Sequence, residues 1–157
     1  MSLRDEYRRA RQDEELARLR RLVALRAMRA RGMTQREIAA ELGVSQPAVS
    51  QQLAGDVALR GVDPERLLAA AGPVIKSLAE ELGYSRLGVF GSVARHEARQ
   101  DSDIDLIVQA PEGTSSFAFV GFASMLEEVL GREIDLVEYG GLAPGLDADI
   151  LAETVPL

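Results

Sequence analysis

No cysteine occurs anywhere in this chain, which excludes disulfides and thiolate-held metals and fits a reducing cytoplasm. No apolar run is long enough to span a bilayer: the longest, residues 117–126, reads as a core helix. The N-terminus is too densely charged for a secretory signal, and no internal repeat or low-complexity tract is present. What is left is a chain of 157 residues with 46% hydrophobic content, enough for one ordinary domain or two small ones.

The net charge of -7 hides an asymmetry. Residues 1–60 carry 12 Lys/Arg against 8 Asp/Glu, and residues 61–157 carry 6 against 17. A basic first part suits a polyanion such as DNA. An acidic second part repels nucleic acid but accepts metal ions or a basic protein surface. The chain is therefore read as two parts, 1–60 and 61–157.

Residues 13–31 predict a charged amphipathic helix with Leu16, Leu19, Val23 and Leu22 or Leu25 as its stripe, its arginines forming a solvated face. Residues 2–12 are read as helical or frayed. Thr34 followed three residues later by Glu37 is a capping box, opening a helix with Ile38, Ala39 and Leu42 inward. Gly43 makes a tight turn, Val44 packs inward, Ser45 caps a second helix that tolerates Pro47 in its first turn, and Val49 and Leu53 face the first. This resembles the helix-turn-helix of phage-repressor-like bacterial regulators. The outward residues Gln46, Pro47, Ser50 and Gln51 are then candidates for the DNA major groove, and Gln35 and Arg36 for phosphate contacts. Residues 55–61 read as a connection, followed by a helix from Pro64 to about Ala71, a break at Gly72 and Pro73, and a second helix to Leu82.

In the second part, residues 86–90 form a strand candidate that stops at Gly91 and Ser92, with a helical turn expected over 93–99. A strand-to-helix turn offers backbone N–H groups, a serine hydroxyl and nearby Arg95 to phosphate oxygens. Residues 103–109 then read as a strand in which Asp103 and Asp105 share one face and Ile104 and Leu106 the other. Two carboxylates that close repel unless neutralised, and magnesium, completed by substrate phosphates, is the simplest remedy. Residues 133–139 are a second such strand, whose Asp135 can complete a two-metal clamp beside the first. Ser115 or Ser116 caps the intervening helix to Leu130, and residues 147–153 close the chain as a short helix. The class is α+β, an all-α helix-turn-helix domain followed by a small mixed sheet with flanking helices.

Residues 87–95, 101–108, 133–137 and 150–156 together resemble the minimal nucleotidyltransferases of the DNA polymerase β-like superfamily. The resemblance implies that Gly91 and Ser92 hold the triphosphate of ATP, and that Asp103, Asp105 and Asp135 bind Mg2+, two ions in all. Some members of that family are antitoxins that transfer AMP to a tyrosine of a HEPN-type toxin. The implied partners are such a toxin and operator DNA, with no membrane and a possible homodimer. Two alternatives stay open: a transcriptional regulator whose second domain only binds nucleotide or partner, and a transferase acting on a small aminoglycoside-like hydroxyl compound. His96, the lone histidine, stands where many relatives have glycine and is read as a loop residue, since two-metal phosphoryl transfer needs no imidazole.

Overall fold

The computed structural model describes residues 1–54, 59–145 and 147–157. Helix α1 (Leu3–Ala30) opens on a capping box between Ser2 and Asp5, so the charged segment before residue 13 is continuous helix. Its buried residues are Leu19, Leu22, Val23, Leu25 and Ala27. Helices α2 (Gln35–Leu42) and α3 (Gln46–Ala54) follow, with Thr34 and Glu37 capping α2 reciprocally. Gly43 ends α2 at φ +67°, a conformation that costs glycine little. Ser45 accepts the Ala48 N–H at 3.2 Å, opening α3. Ile38, Ala39, Val49 and Leu53 are buried as expected. Leu42 and Val44 are not: both are more than 40% exposed, because Leu42 faces an open hollow between α1, α2 and α4 rather than a neighbouring side chain.

Of the expected connection, residues 55–58 lie outside the described residues, and Leu59–Gly61 is a single 3-10 turn. Helix α4 (Pro64–Glu81) runs unbroken through Gly72 and Pro73, against the break expected there. Proline leaves the carbonyl four residues earlier without its helical donor. Here α1 supplies the replacement: Arg20 Nε donates to the Ala70 carbonyl at 2.9 Å and Nη2 to the Ala69 carbonyl at 3.5 Å. Arg26 likewise donates from Nε to the carbonyls of Glu128 and Val129, at 3.1 and 3.0 Å. Two arginines of the supposedly solvated face therefore bond to carbonyls of other helices, Arg20 within α4 and Arg26 near the C-terminal end of the helix that ends at Leu130. Arg20→Ala is expected to cost about 1–2 kcal/mol and lower Tm by several degrees. Adding Pro73→Ala, which restores the missing N–H, should recover much of that loss in a thermal melt.

The sheet has the order β3-β2-β1-β4, with β1 (Ser85–Phe90), β2 (Ile104–Gln109), β3 (Ile134–Glu138) and β4 (Val155–Pro156). Strand β1 is antiparallel to β2 and β4, whereas β2 and β3 are parallel and joined by helix α6 (Ser116–Leu130). Ser115 caps α6 by accepting the Ala118 N–H. Only one side of α6 is core: Phe122, Leu126, Val129 and Leu130 are buried, while Phe117 and Val120 stand 90% and 62% exposed, so the apolar run is amphipathic rather than buried all round. A short turn, α5 (Gly91–Ala94), follows β1, and α7 (Ala148–Glu153) precedes β4. The turn stops at Ala94 rather than reaching Arg99, since His96 takes φ +58° and cannot continue it.

One hydrophobic core extends from Leu19 of α1 through α2, α3 and α4 to Ile104, Leu106 and Val108 of β2 and Ile134 of β3. The odd-numbered side of β2 faces away from it. Ile107 is fully buried there but outside that core, and this second face carries the acidic residues.

Candidate active site

Strand alternation sends Ile104 and Leu106 into the core, both at 0% exposure, and turns Asp105 to the opposite face, where it is half-buried. Asp103 lies one residue before β2 and is exposed. Pairing then brings in the third carboxylate. In the parallel ladder Asp105 stands opposite Asp135, and on its other side Phe90, the last residue of β1, stands opposite Asp105. Asp135 is exposed. Asp105 and Asp135 therefore stand side by side with the turn after Phe90 next to them, and Asp103 is near enough for its charge to act on the Asp105 carboxyl.

Gly91, at φ +71°, makes that proximity possible, because a Cβ there would lie 2.0 Å from Asp105 Oδ2. Burial, with the charges of Asp135 and then Asp103 adding to it, pushes the Asp105 carboxyl above the usual carboxylate range, against a partial pull from Arg95. Among the described residues no Lys or Arg forms an ion pair with any of the three. Nor are any three Asp, Glu or His side chains among them already gathered closely enough to hold an ion. The acids thus form an unfinished set of hard oxygen donors with no directly paired cation among the described residues. That chemistry fits a divalent cation whose coordination is completed by substrate phosphates and water.

Sequence reasoning missed one participant. Glu153 of α7 accepts the Gly91 N–H at 2.9 Å through Oε1 and binds Arg95 Nη1 at 2.8 Å through Oε2. The Arg95 guanidinium, and then the Gly91 N–H, hold its carboxyl below the usual range. Arg95 is also bonded to Glu97 at 3.2 Å, so it reaches the glycine turn through carboxylates rather than projecting freely. No local signal could have revealed this, since Glu153 lies 62 residues from Gly91. Ser92 is partly buried beside the same turn. His96 is exposed and its Nδ1 contacts Glu65.

The helix-turn-helix surface lies apart from these residues. Gln46, Pro47, Ser50 and Gln51 are all exposed along α3, Arg36 is exposed at the start of α2, and Gln35 is partly buried. The hollow between α1, α2 and α4, about 800 Å³, is larger than the pocket of about 250 Å³ beside Asp103. Its lining is mainly apolar and distant from the acids, so volume does not mark the chemistry here. Among the described residues no helix is long and apolar enough to cross a membrane.

Comparison with known proteins identifies the family and the fold. The family described as "Nucleotidyltransferase domain" matches residues 74–157, and the "Homeodomain-like domain" matches residues 15–55. Protein adenylyltransferase MntA of Thermococcus cleftensis is 40% identical over 80 residues, covering 51% of this chain and 81% of its own length. A relative from Methanocaldococcus jannaschii is 44% identical over 73 residues, 46% of this chain and 78% of its own. A solved chain bearing the name "putative minimal nucleotidyltransferase" is 44% identical and superposes with a TM-score of 0.53 over 61% of this chain and 97% of its own.

Proposed function

Because the chain belongs to the nucleotidyltransferase domain family, we propose that it transfers AMP from ATP to a hydroxyl of a partner protein, while its helix-turn-helix binds double-stranded DNA. What carries this reading is the pairing of Asp105 with Asp135 beside the Gly91–Ser92 turn, with Asp103 one residue before the strand, around a half-buried carboxylate with no bonded cation. The name of the Thermococcus relative supports a protein acceptor. A tyrosine of a HEPN-type toxin is the acceptor we propose, which makes the chain an antitoxin of the cytoplasm.

Asp103, Asp105 and Asp135 would hold two Mg2+ ions, which supply charge neutralisation on the triphosphate when bound. The Gly91 N–H and the Ser92 hydroxyl bind phosphate oxygens, and Glu153 yields its bond to Gly91 as they arrive. Arg95, released from one carboxylate, adds positive charge there. The acceptor oxygen forms a bond to the α-phosphorus while the bond from that phosphorus to the pyrophosphate oxygen breaks. Asp135, at the exposed side of the set, accepts the hydroxyl proton.

Residues 1–60 form the DNA-binding unit and residues 61–157 the transferase unit in this proposal, although their apolar side chains share one core. Gln46 and Gln51 read base edges, with Pro47 and Ser50 beside them, while Gln35 and Arg36 contact phosphates. A palindromic operator of the chain's own operon would be bound by a homodimer. A second reading keeps only nucleotide-dependent regulation, and one observation favours it: Glu153 already occupies the Gly91 N–H and Arg95.

The deciding experiment is mass spectrometry of a candidate toxin incubated with this protein, ATP and Mg2+, beside Asp103→Ala. Added AMP units that disappear in the variant are the expected result. Tight ATP binding without any added mass would favour the regulator. Separately, replacing Gln46 and Gln51 by Ala should weaken sequence-specific DNA binding by about 1–3 kcal/mol for each base edge no longer read, while AMP transfer is unchanged. Loss of both activities would mean that α3 is a structural helix.

A further inference from the structure

Arg132 is 6% exposed, the one buried charged residue among those described. Its Nη1 donates to the Ser102 carbonyl at 3.0 Å. Its Nη2 lies within reach of the carbonyls of Leu59, Arg60 and Val62, at 3.3, 3.0 and 2.7 Å. Its Nε is buried with no partner at all. A buried guanidinium with an orphaned N–H is costly, and an apolar side chain of similar length would fill the space without that cost. What an apolar residue cannot do is grip four carbonyls on two distant segments.

Those segments are informative. Residues 59–62 lie between the helix-turn-helix and α4. Ser102 immediately precedes Asp103, and the planar peptide unit joining them makes the orientation of the Ser102 carbonyl set that of the Asp103 backbone. Asp103 needs such support, because the β2–β3 register begins only at Ile104 opposite Ile134. On the near side the loop is shaped by Arg99 and Ser102, whose backbone and hydroxyl bonds close a turn at 3.0 and 2.8 Å. On the far side the support comes from Arg132. Asp103 and Arg132 line the same pocket of about 250 Å³.

We infer that Arg132 is a positioning residue for the transferase, holding Asp103 in place through the Ser102 carbonyl and tying that loop to the segment that follows the DNA-binding helices. The inference rests on the reading of Asp103 as a catalytic carboxylate. Arg132→Lys tests it, because lysine keeps the charge but cannot fork to both segments. Arg132→Gln, which keeps two planar donors, takes its place if the lysine variant does not melt cooperatively.

The decisive readout is Mn2+ binding by calorimetry in the presence of a non-hydrolysable ATP analogue. Kd is expected to weaken by about 10-fold in the folded variant at unchanged stoichiometry, with kcat for AMP transfer falling about 10–100-fold and ATP KM little altered. A merely structural role would lower the stoichiometry and leave Kd where it was, which would overturn the inference. Wild-type Kd in Arg132→Lys would overturn it too, by showing that charge alone suffices. Wild-type protein that binds no Mn2+ with nucleotide would instead sink the catalytic reading of Asp103, and this inference with it.

Discussion

Gly91→Ala is expected to lower AMP transfer by about 100-fold or more while leaving a folded protein. The added methyl group would sit 2.0 Å from Asp105 Oδ2 and 2.9 Å from its Cγ, so the carboxylate must leave the position it holds between β1 and β3. Displacement of a reacting or ligating group by about 1 Å is enough to cost two orders of magnitude in rate. The φ of +71° adds about 1 kcal/mol of backbone strain for alanine. Strain and crowding together predict a Tm several degrees lower but still a cooperative melt. Steady-state AMP transfer and a melt on the same preparation would check both parts. Near-normal kcat in Gly91→Ala would mean that Asp105 need not stay where the ladder puts it.

Asp105→Asn should abolish detectable transfer and yet raise the melting temperature of the metal-free protein. Asp105 is held above its usual range first by burial and then by Asp135 and Asp103, so the folded state binds its proton more tightly than the unfolded chain does. Such a group weakens the fold progressively as pH rises through the interval between its unfolded and folded pKa, and the penalty is complete above that interval. The melting temperatures of wild type and Asp105→Asn should therefore lie close together in acid and separate towards neutral pH, with the asparagine variant the more stable by a few degrees. Mg2+ with a non-hydrolysable ATP analogue should reverse that order by stabilising only the protein that binds them. A variant less stable than wild type at every pH would show that the carboxylate has a compensating partner.

Both results concern a site whose parts differ in how far they could be read ahead of the fold. Period-two alternation announced the two acidic strands, and the order of glycine turn, acidic strand, helix and second acidic strand pointed to a nucleotidyltransferase, the family the chain does match. The capping box at Thr34 and Glu37 and the left-handed turn at Gly43 were equally legible. Failures came where a local rule met a distant neighbour. Gly72 and Pro73 read as a helix break, but Arg20 of α1 bonds to the carbonyls around the break and α4 continues. Leu42 and Val44 had the right spacing for a core, but nothing packs over them closely enough to exclude solvent.

The sequence by itself determined the local elements, their caps, and which face of each strand carries carboxylates, because those properties depend on residues within a turn or two of one another. Only the tertiary structure decided that Asp105 faces Asp135, that Glu153 returns to Gly91 and Arg95, and that Arg20, Arg26 and Arg132 bond to carbonyls of other segments. Strand pairing and helix packing set those meetings across tens of residues. A charged side chain looks the same in the sequence whether water or a distant carbonyl receives its hydrogen bonds.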